Sequence, residues 1–104
     1  MPKFSAEEVY AIMNEIPKGK VVTFGEIATL MGQPHKSGHV GCAMRGAVER
    51  GLPAHRVVLA GGKLVPGWEK EQPELLKEEG AIIKTNGKVD MKQSGWRLLE
   101  TIEL

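Results

Sequence analysis

Covalent cross-linking is almost absent from this chain, because Cys42 is the only cysteine among 104 residues. An intrachain disulfide is excluded, which suits a reducing compartment and sets the expectation of a cytoplasmic protein. Long apolar runs are also missing. None approaches the roughly 18 residues that a membrane span requires, and the first eight residues, MPKFSAEE, carry neither the apolar core nor the cleavage site of a secretory signal. Aromatic residues are few, at 5%, and there is no large excess of one charge, the net value being +1. With 41% apolar and 26% charged residues, what remains is the profile of an ordinary globular chain, expected to form a single domain over 1–104.

The small net charge would argue against a nucleic-acid partner if it were evenly spread, and it is not. From Pro34 to Pro66 the bases Lys36, Arg45, Arg50, Arg56 and Lys63 face one acid, Glu49, leaving +4. The flanking segments carry −1 and −2. The same central segment holds His35, His39 and His55. A local positive face on a near-neutral domain is compatible with phosphate contacts.

Ser5 followed by Glu8 reads as a capping box, and Val9, Ile12, Met13 and Ile16 recur at helical spacing. Pro17-Lys18-Gly19 ends that helix, and Lys20-Val21-Val22 is β-prone. Thr23 and Glu26 form a second capping box before a short helix with Ile27, Ala28, Leu30 and Met31 as its buried stripe and Gly32 as its stop. Ser37 is expected to cap a third helix through about Glu49, with Val40, Ala43, Met44, Ala47 and Val48 on its apolar face. Two short helices joined by such a turn suggest a helix-turn-helix. Arg56–Leu59 and Lys63–Val65, separated by Ala60-Gly61-Gly62, read as a wing hairpin. A polar helix from Glu69 to Glu79, anchored by Leu75 and Leu76, ends at Gly80. A second hairpin turns at Thr85-Asn86-Gly87, and the tail around Trp96, Leu98 and Leu99 is expected to pack back on the domain.

Three stretches carry a resemblance: Ile16 to Ala28 (IPKGKVVTFGEIA), Val40 to Arg45 (VGCAMR) and Pro53 to Val58 (PAHRVV). In order and spacing they resemble the C-terminal DNA-binding domain of O6-alkylguanine-DNA alkyltransferases, over roughly Phe4 to Gly80. The resemblance implies a small α/β winged helix-turn-helix domain that binds double-stranded DNA in the minor groove and rotates a damaged guanine into a pocket. Ala54 stands where that family has its alkyl-accepting cysteine. A methyl group has no lone pair to attack an alkyl carbon, so no catalytic residue is expected and the chain resembles the alkyltransferase-like proteins. Those proteins are implied to bind alkylated guanine and to pass it to nucleotide excision repair. Most carry Trp at the Ala54 position, so a wider pocket wall is expected here.

By the same resemblance the lesion pocket is assigned to Phe24, Pro53, Ala54, His55, Arg56, Val57, Trp68 and Glu79, with Glu79 orienting His55. The DNA contacts fall to Thr23, Phe24, Lys36, Gly38, His39, Gly41, Cys42, Ala43, Arg45 and Ala47. Gly38 occupies the position of the intercalating arginine, and Phe24 that of a tyrosine that has lost its hydroxyl. No cofactor is implied, and a monomer without a membrane partner is expected. The alternative function is a general DNA-binding or protein-interaction module. His35, His39 and Cys42 have a spacing that would align three zinc ligands on one helix, against which Pro34 and Ser37 place the helix start after His35. A hydrolase built on Glu79 and His55 would lack a nucleophile.

Overall fold

The computed structural model describes residues 6–96. Helix α1 (Ala6–Glu15) buries Val9, Tyr10 and Met13 on one face. Ser5, the expected cap of this helix, lies outside the described residues. The chain then reverses at Gly19, where φ is +84° and a Cβ would sit 2.8 Å from the Glu79 carbonyl oxygen, so both the backbone angle and the space require glycine.

The two-residue strand β1 (Val22–Thr23) runs straight into α2 (Phe24–Leu30). The expected capping box is complete: Glu26 N donates to Thr23 Oγ1 at 3.1 Å, and Thr23 N donates to Glu26 Oε1 at 3.0 Å. Ile27 and Ala28 are buried, with Leu30 and Met31 packed at the margin of the same core. A 3-10 turn, Pro34–Lys36, leads directly into α3 (Ser37–Glu49). Ser37 is therefore the first residue of the helix and not its cap. Lys36 takes the cap position without a side-chain bond, because the tight turn, closed by Lys36 N donating to Gln33 O, already delivers the chain into the helix.

α1 and α3 approach closely because position 46 has no side chain. A Cβ there would strike the Tyr10 hydroxyl, which donates to Ala43 O at 3.2 Å. Val40, Ala43, Met44 and Ala47 face this contact and are buried, whereas Val48, expected in the same stripe, is 54% exposed.

β2 (Val57–Val58) pairs in parallel with β1, Val22 opposite Val57 and Thr23 opposite Val58. The connection between them carries α2 and α3. The expected wing hairpin is not formed. Ala60–Gly62 is a 3-10 turn, and Lys63–Val65 is not a strand, although Leu59 N donates to Lys63 O. Gly61 and Gly62, both at positive φ, serve a different end: a Cβ at Gly62 would strike the Val89 carbonyl, and Val89 N donates to Gly62 O at 2.9 Å. Gly62 thus docks on the second hairpin, which is present in minimal form as an Ile83–Val89 bridge turning through Gly87.

α4 (Glu71–Glu78) begins two residues later than its sequence suggests, and Leu76 alone anchors it among the leucines, since Leu75 is exposed. Gln72 is buried beside Leu76. α5 (Met91–Ser94) is capped by Asp90, whose carboxylate accepts from Lys92 N and Gln93 N. Val21 then pairs with the last described segment, receiving from Trp96 N and donating to Ser94 O, both at 2.8 Å. Trp96 packs against the core as expected, while Leu98 and Leu99 lie outside the described residues. Buried Val21, Val58, Leu76, Ala81 and Val89 form a second apolar cluster beside the larger one of α1 to α3. Among the described residues no helix is long and apolar enough to cross a membrane.

Candidate functional site

The helical period divides α3 into two faces. The inner face is the buried set just described; the outer face carries Gly38, His39, Cys42, Arg45, Val48 and Glu49, with Gly41 half-buried. Gly38 has nothing within 4 Å of where a Cβ would stand. Two of the expected DNA contacts, Ala43 and Ala47, are 8% and 0% exposed and turn their side chains toward the core, away from the outer face. Lys36 is half-buried at the mouth of the helix, and Thr23 and Phe24 sit at the start of α2, with the Thr23 hydroxyl occupied by its cap bond.

Next to α3 lies a groove of 610 Å3, walled by Met44, Arg45, Val48 and Glu49 on the helix and by Val65, Gly67 and Trp68 on the loop before α4. The exposure of Val48 now has a reason, because this side chain lines the groove. Of the eight residues assigned to the lesion pocket, Trp68 lines it. Phe24 lines a separate 370 Å3 cleft with Gly25, Leu59, Ala60 and Lys63. Met44, Val48, Val65 and Gly67 were not legible as groove residues. The signal for Val48 was an apolar side chain at the edge of an otherwise inward-facing stripe.

Ala54 is 1% exposed and packed in the larger core, and Val57 is fully buried. The wider wall expected at Ala54 is not expressed as open space at that residue, because the surrounding apolar side chains close over the methyl group. Pro53 is half-buried beside it.

The polar residues that follow form a tight cluster. Arg56 Nε and Nη2 donate to the two carboxylate oxygens of Glu79 at 2.9 and 2.6 Å, and Arg56 Nη1 donates to Ile16 O at 2.8 Å. His55 Nε2 lies 3.0 Å from Glu79 Oε1 but is poorly aligned with it, and this buried nitrogen has no well-formed hydrogen bond. The carboxylate expected to orient His55 is thus held mainly by Arg56 in a fork-to-fork geometry. The Arg56 hydrogen bonds, opposed by burial and reinforced by His55, hold the Glu79 carboxyl below its ordinary value. The cluster ties the turn at Ala54–Arg56 to the end of α4 and to the end of α1. Chemically it can position and polarise, but the adjacent side chain at Ala54 offers no nucleophile.

Among the described residues no group of three or more His, Cys, Asp or Glu is placed to hold a metal ion. His35 sits in the turn before α3, off the helix that carries His39 and Cys42. Cys42 is an exposed free thiol on the outer face of α3.

Residues 5–81 match the family model described as the DNA-binding domain of 6-O-methylguanine DNA methyltransferase. The chain is 36% identical over 93 residues to a DNA base-flipping protein of Vibrio parahaemolyticus, covering 86% of this chain and 93% of that one. It is 40% identical over 81 residues to alkyltransferase-like protein 1 of Schizosaccharomyces pombe, covering 73% and 75% of the two. Its fold matches the crystal structure of S. pombe Atl1 in complex with damaged DNA containing O6-carboxymethylguanine. The TM-score is 0.77 at 34% identity, over 88% of this chain and 94% of the other.

Proposed function

The chain belongs to the family of the 6-O-methylguanine DNA methyltransferase DNA-binding domain, and on that premise we propose that it recognises O6-alkylguanine in duplex DNA without removing the alkyl group. The observation that carries the reading is the juxtaposition at Ala54. The Arg56–Glu79–His55 cluster is in place, and the residue it adjoins is a methyl group that cannot accept an alkyl carbon. The damaged-DNA complex of the structural relative and the base-flipping name of another support binding to an extruded base.

In this reading the outer face of α3 enters the minor groove. Gly38, Gly41 and Cys42 permit close approach of the helix to the sugar-phosphate backbone, and Arg45 and Lys36 supply phosphate contacts. An extruded base would enter the groove between α3 and the Val65–Trp68 loop, where Val48 and Trp68 offer apolar contact and Arg45 and Glu49 polar edges. The bound lesion is then passed to another repair system, with nucleotide excision repair as the partner the resemblance implies.

Two measurements test the proposal. Affinity for a duplex carrying one O6-methylguanine should exceed that for the unmodified duplex. After incubation with DNA labelled in the methyl group, the label should remain on DNA. Equal affinities would leave only a general DNA-binding module, and stoichiometric transfer of label to protein would refute the absence of alkyl transfer.

A further inference from the structure

Gln72 stands at the start of α4, is 0% exposed, and is one of two buried polar residues among those described. Burying an amide is costly unless its polar atoms are paired. Here Nε2 donates to His55 O and Val57 O, both at 3.0 Å, and Oε1 accepts from Val65 N at 2.8 Å. Its own backbone N donates to Trp68 O at 3.0 Å, and Trp68 N donates to Val65 O at 2.9 Å. One residue thus grips both ends of the Val65–Trp68 loop and ties it to the segment that carries Ala54.

The opposite wall of the groove needs no such device, because α3 is fixed by the buried face of Val40, Ala43, Met44 and Ala47. The position of the loop is what remains to set the separation of the two walls. We propose that Gln72 is a positioning residue that sets the width of the groove, and through it the selectivity for an alkylated base. The proposal rests on the lesion-recognition reading above. An apolar residue of the same size would fill the volume but would leave the Val65 N–H without its acceptor, and the loop would find another position.

The test uses the full chain and two near-isosteric variants. For each, affinities for a duplex with one O6-methylguanine and for the unmodified duplex are measured at one salt concentration, with amide hydrogen exchange at Val65 in parallel. Gln72→Met removes three hydrogen bonds, of which the one from Val65 N holds the loop; it should speed exchange at Val65 and lower the affinity ratio about fivefold, the scale of that one bond. Affinity for unmodified DNA should hold, since the outer face of α3 is untouched. Gln72→Glu provides the second arm if Gln72→Met does not fold. A protonated carboxyl can accept from Val65 N and donate to one of the His55 and Val57 carbonyls, whereas the ionised form has no proton to donate and is repelled by both; burial raises its pKa. Its ratio should therefore fall as pH rises through the titration of that carboxyl, while the wild-type ratio stays level. Accelerated exchange at Val65 with an unchanged ratio, or a pH-independent ratio in Gln72→Glu, overturns the inference and leaves lesion recognition standing. A wild-type ratio of one overturns lesion recognition itself, and the role of Gln72 falls with it.

Discussion

Replacing Glu79 by Gln removes the charge that organises the Ala54–Arg56 turn, and the structure sets the scale of the loss. Arg56 and Glu79 side chains are 12% and 14% exposed, and two hydrogen bonds of 2.9 and 2.6 Å join them. Charge-assisted bonds contribute roughly 1.5–3 kcal/mol, and removing one partner of a buried pair costs about 3–5 kcal/mol. Residual solvent contact and the Arg56 bond to Ile16 O, which survives in the variant, place the expected cost of Glu79→Gln near the lower range, about 2–3 kcal/mol. For a domain of this size that is a fall in Tm of roughly 10–20 °C. The loss must also depend on pH. Because the folded-state pKa of Glu79 is lowered from 4.5, its contribution is fully present above the ordinary carboxylate value and disappears as pH falls through the lowered one. Urea unfolding of wild type and Glu79→Gln at neutral pH and at a series of acidic pH values measures both effects. The gap between the two proteins should close in acid. A gap that is constant with pH, or smaller than about 0.5 kcal/mol at neutrality, would refute the assignment of Arg56 and Glu79 as a stabilising buried pair.

Arg45→Ala should weaken binding to unmodified duplex and flatten its salt dependence, whereas Lys88→Ala, in the distal hairpin, should change neither; salt titrations of both variants check this. A Cβ at Gly38 meets nothing within 4 Å, and Gly38→Arg should raise the preference for alkylated over normal duplex, read as the ratio of the two affinities, because an arginine there can fill the gap left by an extruded base. Gly46→Ala places a methyl group against the Tyr10 hydroxyl and should cost about 1–3 kcal/mol in denaturant unfolding.

Legibility in the sequence followed the range of the interaction. The Thr23–Glu26 capping box joins groups three residues apart, so its two hydrogen bonds could be read directly from residue types. The inner stripe of α3 was readable for the same reason, and its own period already contained the answer for Ala43 and Ala47. Both side chains fall on the inward face by that period, and both are buried. Val48, at the edge of that stripe, could belong to either face, and only the loop opposite determined that it lines a groove.

Residue types alone placed a methyl group, with no capacity for alkyl transfer, at position 54, and placed a histidine and an arginine after it. They could not say that Glu79 would be shared unequally, with Arg56 taking both oxygens and His55 a poorly aligned contact, because that outcome depends on the angles at which two segments 23 residues apart meet. The Gly61-Gly62 pair has the local signature of a hairpin, yet tertiary packing used the missing side chain of Gly62 to admit the Val89 carbonyl. Gln72 looked like an ordinary polar residue in a polar helix until three backbone segments were folded around it. Caps, turns and helical faces arise from hydrogen bonds and spacing within a few residues, so the sequence by itself determined them. The groove, the shared carboxylate and the buried amide depend on which distant surfaces exclude water together, and only the tertiary structure decided them.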